Sequence, residues 1–191
     1  MNRRQEKFNN RHKLILEKAE EIIKKQGYIN FTMDEVAKAV DIAKGTLYLH
    51  FKSKEELVYN LVHPKMLQLL NDVKKIVNKE TDFILKLNRL ISGLFSSSYF
   101  QFVVLSFPDM SAVFQKDTSS ELELIQKEII KNFISLINSG NENNLLNGVP
   151  SGKCGFTTLS KSIEKIGSLQ RLGTDFFIWL VNVPYPQLIS K

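Results

Sequence analysis

Four polar side chains of different chemistry lie close together between positions 44 and 50. Lys44 supplies a cation, Thr46 a hydroxyl, Tyr48 a phenol and His50 an imidazole. Cations and hydroxyls bind phosphate oxygens, and neutral polar groups also contact the edges of bases. The set is therefore suited to anchoring a nucleic-acid backbone and to reading a small number of bases.

No catalytic or metal-binding pattern accompanies this set. The histidines His12, His50 and His63 lack the spacing of metal ligands, and Cys154 has no histidine near it in the sequence. We therefore predict no catalytic residue, no metal and no cofactor. An enzyme built on a helical bundle is the alternative, because catalytic groups assemble in space rather than in sequence.

Composition favours a soluble protein with a polyanionic partner. The 191 residues carry a net charge of +6, and residues 1–65 hold 13 Lys and Arg against 9 Asp and Glu. No apolar run approaches the ~20 residues of a membrane span, and no secretion signal follows the N-terminus. A single cysteine suits a reducing compartment. We therefore expect a cytoplasmic protein without a membrane partner.

Short helices must position the four polar side chains. Apolar residues recur at helical spacing over residues 11–26, and Gly27 is typical of a helix C-terminus. Thr32 and Glu35 form a capping box that begins a second helix, which Asp41 and Ile42 interrupt after about two turns.

A third helix is predicted from Ala43 to Phe51. Leu47 and Phe51 would point inward, leaving the four polar side chains free to face outward. Gly45 is unusual inside a helix and would let a neighbouring backbone or a phosphate approach closely. Ser53 and Glu56 form a second capping box, and Lys54 lies in the first turn that follows it.

This segment resembles the TetR family of bacterial transcriptional regulators over about residues 11–63. The resemblance implies an all-α protein: an N-terminal three-helix helix-turn-helix DNA-binding domain, then a larger helical ligand-binding and dimerisation domain. It also implies a homodimer on a palindromic double-stranded operator, usually a repressor released by a small molecule. The matching residues are Phe31-Thr32, Val36-Ala37, Ile42, Lys44-Gly45-Thr46-Leu47-Tyr48, His50-Phe51 and Ser53-Lys54-Glu55-Glu56-Leu57.

By position, the resemblance assigns a set of residues to DNA contact and places Thr32 near the phosphates as a cap. The chain departs from the family at Asp41, where glycine is usual, and at Ala43, where a capping serine is common. Aspartate tolerates a left-handed backbone, whereas alanine cannot cap. The DNA-binding residues so assigned are Thr32, Lys44, Gly45, Thr46, Tyr48, His50 and Lys54.

Each of these residues has a simpler alternative. Tyr48 and His50 could complete the packing of the three-helix unit, and Lys44 and Lys54 could be ordinary solvated lysines. A flexible basic N-terminal arm could reach the DNA backbone or a minor groove, or it could be a disordered tail. The cations of that arm are Arg3, Arg4, Lys7 and Arg11.

Pro64 should end or kink the fourth helix, so we predict domains at residues 1–63 and 64–191. The second domain shows further helical repeats, an exposed loop over residues 139–155 and a last helix over about 157–182. By the resemblance, that helix and residues 119–138 would form a four-helix dimer interface. The alternative is that both helices serve only the core of their own subunit.

Aromatic side chains concentrate in the middle of the second domain. They could line a largely apolar cavity for a small lipophilic effector, or they could be plain core. A helical adaptor that binds protein and never DNA is a further alternative to a regulator. The predicted pocket residues are Phe95, Tyr99, Phe102, Phe107 and Phe114.

Overall fold

The computed structural model describes residues 3–79, 82–106 and 119–142. All the regular structure in these ranges is α-helical, which confirms the all-α prediction. The predicted helix at 157–182, Phe107 and Phe114 lie outside the described residues. The helices are α1 Arg3–Asn30, α2 Met33–Val40, α3 Lys44–His50, α4 Lys54–Lys79, α5 Phe83–Ser96, α6 Ser98–Ser106 and α7 Ser119–Glu142.

Helix α1 is longer than the sequence pattern predicts. It begins at Arg3, so the basic segment is helical rather than a flexible arm. Its buried face carries Ile15, Ala19 and Ile23. At Gly27 the backbone leaves helical geometry (φ 79°, ψ 165°), and this break lies where the C-terminus was predicted.

Local capping fixes the bounds of α2. The Thr32 hydroxyl accepts from the Glu35 amide, and the Glu35 carboxylate accepts from the Thr32 amide at 2.9 Å. Asp41 follows the last residue of the helix as its C-cap. Its backbone is left-handed (φ 56°), the conformation that aspartate must tolerate where it stands in place of a turn glycine. The Ile42 amide then donates to the Ala37 carbonyl at 3.0 Å, closing the turn before α3.

Helix α3 starts without a side-chain cap, as expected for Ala43. The Ala43 carbonyl accepts from the amides of Thr46 and Leu47, so the first turn forms through backbone bonds alone. Leu47 and Phe51 are fully buried, which confirms their predicted inward orientation. The short helix is therefore held by its apolar side against α1 and α2, with which it forms the N-terminal core.

Helix α4 runs continuously through Pro64, so of the two predicted effects of this proline, an end or a kink, the end does not occur. Proline removes one amide donor, yet Leu61, Val62 and Met66 bury the turns on both sides of it and hold them in place. Ser53 caps the start of this helix, because its Oγ accepts from the Glu56 amide at 3.1 Å. The Glu56 carboxylate accepts from the Lys52 amide at 2.6 Å instead of that of Ser53, so the second predicted capping box forms only in half. The domain boundary at residue 63 stays a prediction.

Helices α4, α5 and α6 pack together in the second half of the described chain. Asp82 caps α5 by accepting from the Leu85 amide at 2.7 Å, and Ser97 joins α5 to α6. Their buried side chains include Leu90, Leu94 and Phe100. Among the described helices, none has the length and apolar character that a membrane crossing requires.

By its internal contacts the chain divides into two units, Met1–Asn132 and Phe133–Lys191. The described part of the second unit is the end of α7, residues 133–142. Residues 139–142 are helical, so the prediction that a loop starts at residue 139 is wrong. The rest of that loop lies outside the described residues.

Candidate nucleic-acid interface

The outer face of α3 consists of Gly45, Tyr48 and Leu49. At 100° per residue these positions lie on one side of the helix, opposite the buried Leu47 and His50. Leu49 is 77% exposed and Tyr48 is 41% exposed. The protein therefore offers an uncharged, partly apolar strip to whatever binds α3.

Gly45 has no packing role within the described fold. A β-carbon added at this position meets no heavy atom within 4 Å beyond its own local backbone. Glycine inside a helix costs roughly 1 kcal/mol relative to alanine. The protein thus retains a destabilising residue that its own packing does not require, which points to close approach by an external molecule.

Lys44 borders the outer face and is paired with Asp34 of α2. The Nζ–Oδ1 distance is 2.7 Å, and the two side chains are 59% and 55% exposed. The hydrogen bond with Asp34 raises the pKa of Lys44, so the ammonium is charged at neutral pH. Exposed ion pairs contribute little, so a phosphate can replace the carboxylate as partner.

The hydroxyl predictions have mixed outcomes. Thr46 is half-buried beside the outer face, while Thr32 is exposed. The Thr32 hydroxyl donates to Glu35 Oε2 at 2.8 Å, and Gln26 Nε2 also donates to that carboxylate at 3.1 Å. The capping role of Thr32 is confirmed by this network.

The prediction that His50 faces outward is wrong. The imidazole is buried and stacks on Phe8 of α1, with ring centroids 4.1 Å apart. His12 stacks on Phe51 at 4.4 Å, and its ring lies 5.7 Å from that of His50. This aromatic cluster holds the N-terminal turns of α1 against the end of α3, so His50 positions α3 by packing.

The same burial makes His50 sensitive to pH. Burial lowers the pKa of His50, and the nearby His12 and Arg11 lower it further. Within the described residues, Nδ1 of His50 has no hydrogen-bond partner. Because folding favours the neutral ring, the unfolded chain binds more protons than the folded one below the ordinary pKa of about 6.5, and stability falls there.

We expect His50→Phe to reduce the loss of melting temperature between pH 7.5 and 5.5, because phenylalanine keeps the stack on Phe8 and does not titrate. Carboxyl groups do not obscure this window. Hydrogen bonds from Gln26 to Glu35 and from Tyr59 to Glu121 lower the pKa of those carboxyls, whose stabilisation is lost only near pH 4.5 and below. Calorimetry at a series of pH values measures the difference; identical pH profiles for the two proteins would remove His50 as the cause.

Lys54 also points away from the outer face. Its Nζ donates to the Tyr28 carbonyl at 2.7 Å and lies 4.2 Å from the centre of the Tyr28 ring and 5.2 Å from that of Phe31. Burial lowers the pKa of this ammonium. The contact joins the beginning of α4 to the end of α1, so Lys54 stabilises the arrangement of the helices next to α3.

Leu49 is the residue that sequence reasoning missed. Attention to polar chemistry excluded it, although the 100° periodicity that places Leu47 inside places Leu49 outside. Further cations lie on the adjoining segments: Lys38 of α2 and Lys52 after α3 are exposed, as is the basic start of α1. Within the described residues, no group of three His, Cys, Asp or Glu side chains is placed to hold a metal ion.

A polar contact connects α4 with α7. The Tyr59 hydroxyl donates to Glu121 Oε2 at 2.6 Å, and His63 Nε2 lies 3.1 Å from Glu121 Oε1 without hydrogen-bond alignment. Burial and the bond to Glu121 together raise the pKa of Tyr59 to about 12. A movement of the start of α7 would therefore be transmitted to α4 through Glu121.

The predicted pocket residues are only partly described. Tyr99 and Phe102 of α6 are each 1% exposed, and Phe95 of α5 meets Phe100 edge to face at 4.9 Å between ring centroids. Lys65 Nζ lies 5.4 Å from the centre of the Phe102 ring. Phe95 thus contacts α6 through Phe100, and Phe102 lies beside Lys65 of α4. A role of the three residues in effector binding stays a prediction.

Comparison with known proteins agrees with this geometry. Residues 15–60 match the family model described as bacterial regulatory proteins, tetR family. The chain is 30% identical over 142 residues to the fatty acid metabolism regulator protein of Bacillus subtilis, covering 73% of this chain and 68% of that protein.

Solved structures of low sequence identity share the fold. The ketosteroid transcriptional regulator KstR2 of Mycobacterium tuberculosis superposes with a TM-score of 0.65 at 21% identity, over 90% of this chain and 93% of that one. AibR, solved with isovaleryl coenzyme A and operator DNA, gives a TM-score of 0.64 at 19% identity, over 88% and 85% of the two chains.

Proposed function

Since this chain belongs to the TetR family of bacterial regulatory proteins and is a transcriptional regulator, we propose that it represses transcription as a cytoplasmic homodimer. Each subunit places α3 in the major groove of one half of a palindromic operator. The half-sites lie about one helical turn apart, roughly 34–36 Å. A small lipophilic effector bound by the second domain releases the DNA.

The observation that carries this proposal is the outer face of α3. Gly45 is exposed there without a packing need, and Lys44 has a carboxylate partner that a phosphate can replace. DNA accounts for both features, because the groove needs close backbone approach and its rim carries phosphates. A helical adaptor would need an acidic protein partner that comes equally close to the helix backbone, and catalysis requires neither feature.

In this proposal the residues divide into two groups. Lys44 contacts phosphate, Thr46 and Tyr48 contact the groove, and Thr32 lies near the backbone. His50 and Lys54 act on α3 through packing instead. The basic start of α1 adds phosphate contacts, because the stack of Phe8 on His50 fixes it beside α3.

We further propose that the effector is derived from a fatty acid. The regulator from Bacillus subtilis is named for fatty acid metabolism, and AibR was solved with an acyl thioester of coenzyme A. In this proposal Phe95, Tyr99 and Phe102 supply apolar contacts to the acyl chain. The contact of Tyr59 and His63 with Glu121 would pass the effect of binding to α4.

A gel-retardation titration tests the proposal. The purified protein is expected to retard a DNA fragment from upstream of its own gene. Palmitoyl coenzyme A should lower the affinity for this fragment about 5- to 150-fold, the usual range of allosteric coupling. Free coenzyme A is the matched control and should have no effect. Retention of no fragment would favour the adaptor, and retention that the thioester does not change would reject this effector class alone.

A further inference from the structure

Leu49 is the most exposed large apolar side chain of the described residues. Single exposed leucines are common and usually need no explanation. This one differs because it lies on the outer face of α3, one turn beyond the glycine that no packing requires. Its position therefore calls for a specific apolar partner.

The charge around the outer face decides which class of molecule covers it. Lys44 at its edge pairs with Asp34, and further exposed cations lie on Lys38 of α2, on Lys52 after α3 and at the start of α1. A second copy of this chain would bring the same positive charges and be repelled, whereas nucleic acid brings phosphates. The occupant of this strip is therefore DNA.

The major groove presents mainly hydrogen-bonding groups, and its distinctive apolar group is the C5-methyl of thymine. The leucine side chain has no hydrogen-bond donor or acceptor, so its burial in the groove is favourable when it contacts an apolar methyl group. Resting on the function proposed above, we infer that Leu49 selects thymine at one position of each half-site by packing against this methyl group.

The helix geometry places that base. Leu49 is four residues from Gly45, about 6 Å along the helix axis. Successive base pairs are spaced about 3.4 Å apart. With α3 aligned along the base stack, the selected thymine lies about two base pairs from the point where the backbone at Gly45 comes closest to the DNA, and fewer if the helix is inclined to it.

Replacement of thymine by deoxyuridine tests the inference, because it removes only the methyl group. An operator selected by the full chain is resynthesised with one thymine changed at a time, and affinity is measured by fluorescence anisotropy. Wild type should lose about fourfold affinity at one thymine of each half-site, the value of one buried methyl group. Leu49→Ala should bind more weakly overall and be indifferent to the change at that thymine.

The control variant is Leu67→Ala, which removes an exposed leucine of α4 and should keep the full sensitivity to deoxyuridine. Circular dichroism and gel filtration show whether Leu49→Ala keeps the fold and the assembly state. Equal sensitivity of wild type and Leu49→Ala, or no sensitive thymine, would overturn the inference while leaving operator binding intact. A change of assembly state in Leu49→Ala would assign the strip to protein contact, and failure to select any operator would remove the proposed function itself.

Discussion

Gly45→Ala is expected to make the protein more stable and its operator binding weaker. The added methyl group meets no heavy atom within 4 Å beyond the local backbone, so folding should gain up to about 1 kcal/mol from the better helix former. In the complex, the same methyl group would stand between α3 and the DNA. Overpacking by a methyl-sized group costs about 1–3 kcal/mol, which corresponds to a loss of about 5- to 150-fold in affinity.

The experiment is decisive because Gly45→Ala should raise the stability of the protein and lower its affinity for DNA. Calorimetry should show a melting temperature raised by a few degrees, and gel retardation of the same preparation should show the weaker binding. Gly93→Ala in α5 is the matched control, since its added carbon would meet Ile76 Cδ1 at an ordinary 3.6 Å. It should leave operator affinity unchanged. Unaltered affinity of Gly45→Ala would show that α3 does not approach DNA closely at this residue.

Salt is expected to have the largest single effect on binding. If the dimer neutralises six to ten phosphates, operator affinity should fall about 10³- to 10⁵-fold between 50 and 200 mM salt. Lys44→Ala should lower the slope of log affinity against log salt by about one for each subunit, because one phosphate contact is lost. Anisotropy titrations at five salt concentrations measure the slope.

Lys54→Ala removes the same charge from a different environment. Since its ammonium is held by the Tyr28 carbonyl, we expect it to cost roughly 1–3 kcal/mol of stability and to leave the salt slope unchanged. Lys79→Ala, an exposed lysine at the end of α4, should change neither quantity. If the salt slope falls in Lys54→Ala as much as in Lys44→Ala, Lys54 contacts a phosphate and its assignment to packing is wrong.

Local signals explain what the sequence could predict. The capping pairs at Thr32 and Ser53 depend on residues three apart. The Thr32–Glu35 box forms in full, whereas Ser53 caps α4 without the reciprocal bond, because Glu56 Oε2 accepts from the Lys52 amide. Asp41 and Gly27 both have a positive φ, and both are residue types that tolerate such a backbone better than most others, so the turn after α2 and the break in α1 fall at these positions. Each of these features is decided within one turn of backbone.

Contacts between distant residues explain what the sequence could not predict. His50 is buried by Phe8, 42 positions earlier, and Lys54 bonds to a carbonyl 26 positions earlier. Neither partner is visible from periodicity in its own helix. Pro64 is similar, because burial of the residues on either side outweighs the lost hydrogen bond.

The central claim is that two copies of α3 bind successive major grooves through Gly45, Tyr48 and Leu49. Selection of bound fragments from a random double-stranded DNA pool tests it most directly, with wild type and Gly45→Ala run in parallel. We predict that wild type enriches an inverted repeat with half-site centres about 10 base pairs or a multiple apart, and that Gly45→Ala enriches it far less. No enriched repeat with wild type, or the same repeat recovered equally by Gly45→Ala, would contradict the account.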